Sequence, residues 1–185
     1  MLRRTPERGF TLIEMLIVVA VIAIIAAIAI PALLRARISA NEAAAIGDIR
    51  TVGSASTSYY VANGGFYDSD LTCLSNPVAC LPGYPTNAPT FLDSQLASLL
   101  PKGGYSRSYE GGQPPTVPPS NSSPSSVTSY VYWATPASGA QTGVRGFATD
   151  SSGIICYNAD GSEAGTTGTI ALDAPGDNCI ILTQG

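Results

Sequence analysis

The sequence predicts an α+β fold: one long N-terminal α-helix packed against an antiparallel β-sheet, arranged as a meander, with a Pro/Ser-rich loop before the sheet. Three observations predict it. Met15 to Leu34 is a run of twenty residues without a charged side chain. Apolar residues then continue at helical spacing to about residue 60, and the C-terminal third alternates β-type runs with turn residues.

Composition bounds what such a chain can do. At 185 residues it accommodates one ordinary domain plus an extra segment. Its hydrophobic fraction of 45% is ordinary for a globular protein, but much of it lies in one N-terminal block. Arg3, Arg4 and Arg8 against Glu7 give residues 1–9 a charge of +2, so with a formal net charge of −4 the remainder carries −6. A net acidic body without a Lys/Arg run argues against general nucleic-acid binding. There is no histidine, which removes the commonest general base, the Ser-His and Cys-His pairs and every His-containing metal site. The expectation is a protein that is not an enzyme and needs no cofactor. The carboxylate pairs Asp68 with Asp70 and Asp173 with Asp177 read as solvated loop acids.

The first element after the basic residues 1–9 is the apolar block, residues 10–34. As an α-helix Met15 to Leu34 spans about 30 Å, the thickness of a bilayer's hydrocarbon core. Ala27-Ile28-Ala29 also offers an exit of the kind a cleaved secretory signal uses, although such signals have shorter apolar cores. Residues 35–60 continue the helix: Ile38, Ala45, Ile49, Val52, Ser56 and Tyr59 are spaced 7, 4, 3, 4 and 3, one stripe of an amphipathic helix. Asn41, Glu42, Asp48 and Arg50 fall mostly off that stripe. Pro31, Gly47 and Gly53 are places to bend it, with the kink expected at Pro31, and Asn63-Gly64-Gly65 ends it.

Residues 61–126 read as an irregular connection containing one short helix at Leu92 to Leu100. They end in Gly111 to Ser126, a stretch too rich in Pro, Ser and Gly to pack and expected to be an exposed loop. Residues 127–185 contain the expected strands: Val127 to Thr135, Val144 to Thr149, Gly153 to Asn158, Thr167 to Leu172 and Asn178 to Thr183. Short links such as Asp150-Ser-Ser-Gly153 and Asp160-Gly161 make an antiparallel meander the economical arrangement. Four cysteines, Cys73, Cys80, Cys156 and Cys179, follow an export-type segment without zinc-knuckle spacing, so disulfides in an oxidising compartment are expected. Pairing neighbours would close loops worth roughly 2.5 and 3.5 kcal/mol in the chain-entropy model. Crossed pairings stay open.

A basic leader, Gly9, Phe10, the string Thr11-Leu-Ile-Glu14 and an apolar helix with Pro31 together resemble the prepilin signature of type IV pilins, type II secretion pseudopilins and competence pilins. The resemblance covers residues 1 to about 60. It implies a pilin-like fold and a leader, residues 1–9, cut by a prepilin peptidase between Gly9 and Phe10, with N-methylation of Phe10. It further implies that Glu14 docks each incoming subunit by facing the Phe10 amine of a neighbour. The implied partners are the membrane before assembly, an inner-membrane assembly platform with its cytoplasmic ATPase, and copies of the chain or sibling pilins. The implied location is the inner membrane as a single-pass precursor with its C-terminal domain extracytoplasmic, then a cell-surface pilus.

Glu14 also has an account independent of resemblance. A carboxylate at a membrane helix's centre costs about 2.5–3.5 kcal/mol, less near an interface, so an isolated subunit tolerates it. In a protein-packed filament, a cation at about 4 Å attracts it by about 4 kcal/mol at an effective dielectric of 20. Ala23 with Ala27, and Ala32 with Ala36 and Ala40, would let helices approach closely, although alanine is equally a helix former. Two weaker motifs complete the survey. Asn121-Ser-Ser is a sequon in the exposed loop and a candidate for glycosylation. Asn158, Asp160 and Glu163 form a weak calcium candidate lacking the full loop spacing, so a β-turn is the preferred reading.

The expected function is therefore a structural subunit of a type IV pilus. The Cys73–Cys80 region and the Pro/Ser loop look more like surface decoration than parts of a compact pseudopilin. The alternatives are a type II secretion pseudopilin and a solitary membrane-anchored extracytoplasmic binding domain.

Overall fold

The computed structural model describes residues 9–117, 120–162 and 179–182. The chain divides into two compact units, Met1–Arg37 and Ile38–Gly185. Helix α1, Leu12–Ala62, runs for 51 residues and contributes to both. Pro31 lies inside α1 without ending it, although it withholds one backbone donor from the helical ladder. In the first unit the large apolar side chains from Leu12 to Leu34 are exposed.

In the second unit α1 buries Ala45, Ile49, Val52, Ala55, Ser56 and Tyr59, with Ile38 half-buried, so the periodic stripe is the face that packs. Glu42 departs from expectation: it is buried with the stripe because an ion pair receives it. The helix stops in a Schellman arrangement. Gly64 and Gly65 take φ of 66° and 89°, and the Gly65 amide donates to the Tyr60 carbonyl at 2.9 Å.

The main sheet is antiparallel with strand order β2-β4-β5-β6-β7: β2 Tyr105–Gly111, β4 Tyr130–Pro136, β5 Gly146–Asp150, β6 Ile155–Asn158 and β7 Ile180–Ile181. A second, two-stranded antiparallel sheet pairs β1, Tyr67–Asp68, with β3, Ser126–Val127. The expected strand Val127 to Thr135 is thus two strands in different sheets. The expected strand Thr167 to Leu172 lies outside the described residues. One face of the main sheet presents Tyr132, Ala134 and Phe147 to the core shared with Ile49, Val52 and Tyr59. The other carries a smaller cluster of Ala148 and Cys156 with Trp133 and Cys179.

Strand β2 corrects the reading of residues 61–126 as irregular. Its buried positions are Tyr105 and Arg107. Arg107 sits there because its guanidinium donates to the Gln95 carbonyl at 3.0 Å and through Nε to the Leu100 carbonyl at 2.8 Å. Upstream, α2 (Thr72–Ser75) and α3 (Pro77–Cys80) are single turns. The short helix expected at Leu92 to Leu100 is α4, Ser94–Ala97, N-capped by Asp93.

The Pro/Ser loop is more tied down than its composition suggested. Ser122, Ser123 and Ser126 are buried. Asn63 explains why, since it donates to the Phe66 carbonyl (3.0 Å) and Ser126 Oγ (3.0 Å) and accepts from the Ser123 amide (2.7 Å). A buried amide side chain so placed satisfies the backbone that the loop itself cannot.

Candidate functional site

The first candidate site is the start of α1. Gly9, Phe10 and Thr11 are non-helical, and Phe10 is 77% exposed. Thr11 occupies the N-cap and Glu14 the third helical position. Glu14 Oε2 accepts from the Thr11 amide at 2.9 Å and from Thr11 Oγ1 at 2.7 Å, while the Glu14 amide donates to Thr11 Oγ1 at 3.3 Å. This is a reciprocal capping box, which satisfies donors a helix N-terminus otherwise leaves orphaned. The sequence signal for this box is the T-x-x-E spacing of Thr11 and Glu14. Oε1 of Glu14 stays free of any partner among the described residues, and a carboxylate can accept several further bonds. Within one chain the partner of Glu14 is thus Thr11, and its Oε1 points to no other described residue.

Behind this cap, α1 is long and apolar enough to cross a membrane. The exposed large Ile, Leu, Val and Met side chains between Met15 and Leu34 cannot all remain in water, since burying each is worth about 1.5–3 kcal/mol. Bilayer or other helices must cover them.

The second cluster fastens the later part of α1 to the sheet. Glu42 Oε1 accepts from the Val144 and Arg145 amides at 3.0 and 3.2 Å, and Oε2 from Arg145 Nε at 3.0 Å and Nη2 at 2.6 Å. The Arg145 guanidinium lies 5.4 Å from the Phe147 ring centroid and 5.3 Å from that of Tyr157. Burial opposes ionisation of Glu42, yet the Arg145 contacts and the two amides hold its carboxyl below the usual value. Asn41 Nδ2 donates to the Thr142 carbonyl at 2.8 Å, and Lys102 Nζ meets Asp48 Oδ1 at 2.7 Å. The contacts of Asn41, Glu42 and Asp48 are not legible in the sequence, because their partners Thr142, Arg145 and Lys102 lie far along the chain.

Asp68 also departs from expectation, being fully buried rather than a solvated loop acid. Tyr59 Oη donates to its Oδ2 at 2.8 Å and Ser125 Oγ to its Oδ1 at 2.8 Å. Burial, and then the Asp68 carboxylate, push the Tyr59 phenol far above its ordinary range. Asp70 is exposed and accepts from the Thr72 amide at 2.8 Å, while Asp173 and Asp177 lie outside the described residues.

The cysteines pair as neighbours, Cys73 with Cys80 and Cys156 with Cys179, with Cα separations of 5.6 and 5.5 Å. Asp68, Cys73 and Cys80 bring their ligand-type atoms within 4.8 Å, but both sulfurs are held in the disulfide and offer no thiolate to a metal. Asn121 is exposed beside buried Ser122 and Ser123. Asn158 Nδ2 donates to Ser162 Oγ at 2.7 Å, and Asp160 accepts from the Ser162 amide at 2.8 Å, as in a turn. Glu163, the third member of that calcium candidate, lies outside the described residues.

Residues 4–30 match the family model described as a prokaryotic N-terminal methylation motif, the signature of type IV pilins and pseudopilins. No curated protein and no solved structure matches the chain.

Proposed function

We propose that this chain is a structural subunit of a type IV pilus, not an enzyme. It is cut between Gly9 and Phe10 by a prepilin peptidase, methylated at Phe10 and polymerised through its apolar helix. One observation carries the reading: the match over residues 4–30 continues into an uncovered apolar helix that opens on a capped carboxylate with one free oxygen. Such a subunit leaves the bilayer only by exchanging lipid for the helices of other copies. The amine created at Phe10 then supplies a cation for Glu14 Oε1 of a neighbour, in surroundings where water is scarce.

Two experiments test this. Peptide mapping of the mature protein should give N-methyl-Phe10 as its first residue; an intact Met1, or a start at Ile30, would refute processing of this kind. Shearing surface filaments from cells and identifying their principal subunit by mass spectrometry should recover this chain. Its recovery only with a secretion apparatus would favour the pseudopilin reading.

A further inference from the structure

Within the unit Ile38–Gly185, almost every charged side chain of the described residues has internal work. Glu42 holds Arg145, Asp48 holds Lys102, and Arg107 serves the carbonyls of Gln95 and Leu100. Asp68 takes Tyr59 and Ser125, Asp93 caps α4, and Asp70 and Asp160 accept from backbone amides. Asp150 accepts from the Ser152 amide. Arg50 and Glu110, one cation and one anion, are the two that none of these contacts engages, and both are exposed.

Their placement is informative. Arg50 lines two adjoining hollows of about 190 and 260 Å³ between α1 and the β5–β6 turn; both also include Gly153 and Ile155. Ile154, Ile181 and Leu182 give the smaller one an apolar wall. The groove therefore reaches β7, at one end of the described strands of the main sheet, whereas Glu110 sits on β2, at the other end, with β4, β5 and β6 between.

We propose that the Arg50 groove receives Glu110 from a second copy of this chain. The inference rests on the filament reading and adds a contact outside the apolar helix. Because the two halves are different patches at opposite ends of the described strands, each copy joined through one half still offers the other. A head-to-tail contact of this kind propagates in one direction, and builds an open filament where its rotation does not close into a ring. Among the described cations of this unit Arg50 is the one that no internal contact engages, so its guanidinium beside an apolar wall is left for an outside carboxylate and favours one register. A guanidinium suits the role because it takes a carboxylate in a two-pronged geometry.

The test uses the full chain in cells where the unaltered protein makes filaments, with sheared filament yield read beside the amount of processed subunit. Arg50→Glu and Glu110→Arg should each lower filament yield about tenfold at unchanged processed subunit, and the double exchange should restore most of it. Undiminished filaments from Arg50→Glu, or a double exchange no better than either single change, would overturn the pairing. Where a charge reversal lowers the subunit itself, Arg50→Cys combined with Glu110→Cys decides: a disulfide ladder from sheared filaments supports the contact, and monomer alone defeats it. Failure of the unaltered chain to form filaments would count against the filament reading instead.

Discussion

Glu14 has two oxygens and, on the proposed function, two tasks. Oε2 closes the capping box with Thr11, and Oε1 is left for a partner. Glu14→Gln keeps the box, since glutamine also serves at that position, but removes the charge; Glu14→Ala removes the charge and the carboxylate half of the box, leaving the bond from the residue-14 amide to Thr11 Oγ1. Both variants are expected to insert in the membrane and to be processed at Gly9, and neither should yield filaments. Normal filaments from Glu14→Gln would show that the cap, not the charge, is what assembly needs. Glu42 makes a different prediction. Glu42→Gln should lower unfolding stability by about 1.5–3 kcal/mol near neutral pH. Its folded-state pKa is depressed, so the native carboxylate's contribution is complete above the unfolded value of about 4.3 and is lost as pH falls through the lower folded value. Chemical denaturation of both proteins across pH 3 to 7 should therefore show their difference shrinking in acid. The first of these roles was legible in T-x-x-E; the second was not, because Glu42 and Arg145 are 103 positions apart.

At the scale of elements, the period of the residues decided what could be read. The α1 stripe and the strands β4, β5 and β6 followed from spacing. Strand β2 did not, because its inward positions include Arg107, a residue that reads as solvent-facing until the carbonyls of Gln95 and Leu100 are there to receive it. The stop of α1 was legible from Asn63-Gly64-Gly65, and Gly64→Ala should cost about 1–2 kcal/mol in thermal unfolding because φ is positive there. The strands also carry an alkaline limit. Burial holds the Tyr105 and Tyr132 phenols up at about 12. Their contribution is intact below the unfolded value near 10 and is lost as pH rises through the folded value. Tyrosinate absorbance near 295 nm should therefore grow cooperatively with loss of near-UV circular dichroism above about pH 10. Smooth titration of all nine tyrosines without unfolding would contradict that burial.

For the whole molecule, the division at Arg37/Ile38 separates two kinds of stability. The second unit has its own core and two disulfides, so a chain beginning at Ile38 should be soluble and retain the tertiary circular dichroism of the intact protein. Replacing Cys156 and Cys179 with serine should lower its stability by about 2–4 kcal/mol, measured by denaturant unfolding. The capping box has one more consequence, for the encounter with the peptidase. A protease reads an extended backbone, and a helix free to elongate would wind upstream over Gly9 and Phe10. With Thr11 holding a non-helical backbone in place, α1 starts at Leu12 and Gly9–Phe10 stays unwound, so on the proposed processing the first turn of the helix would serve as a ruler for the cut.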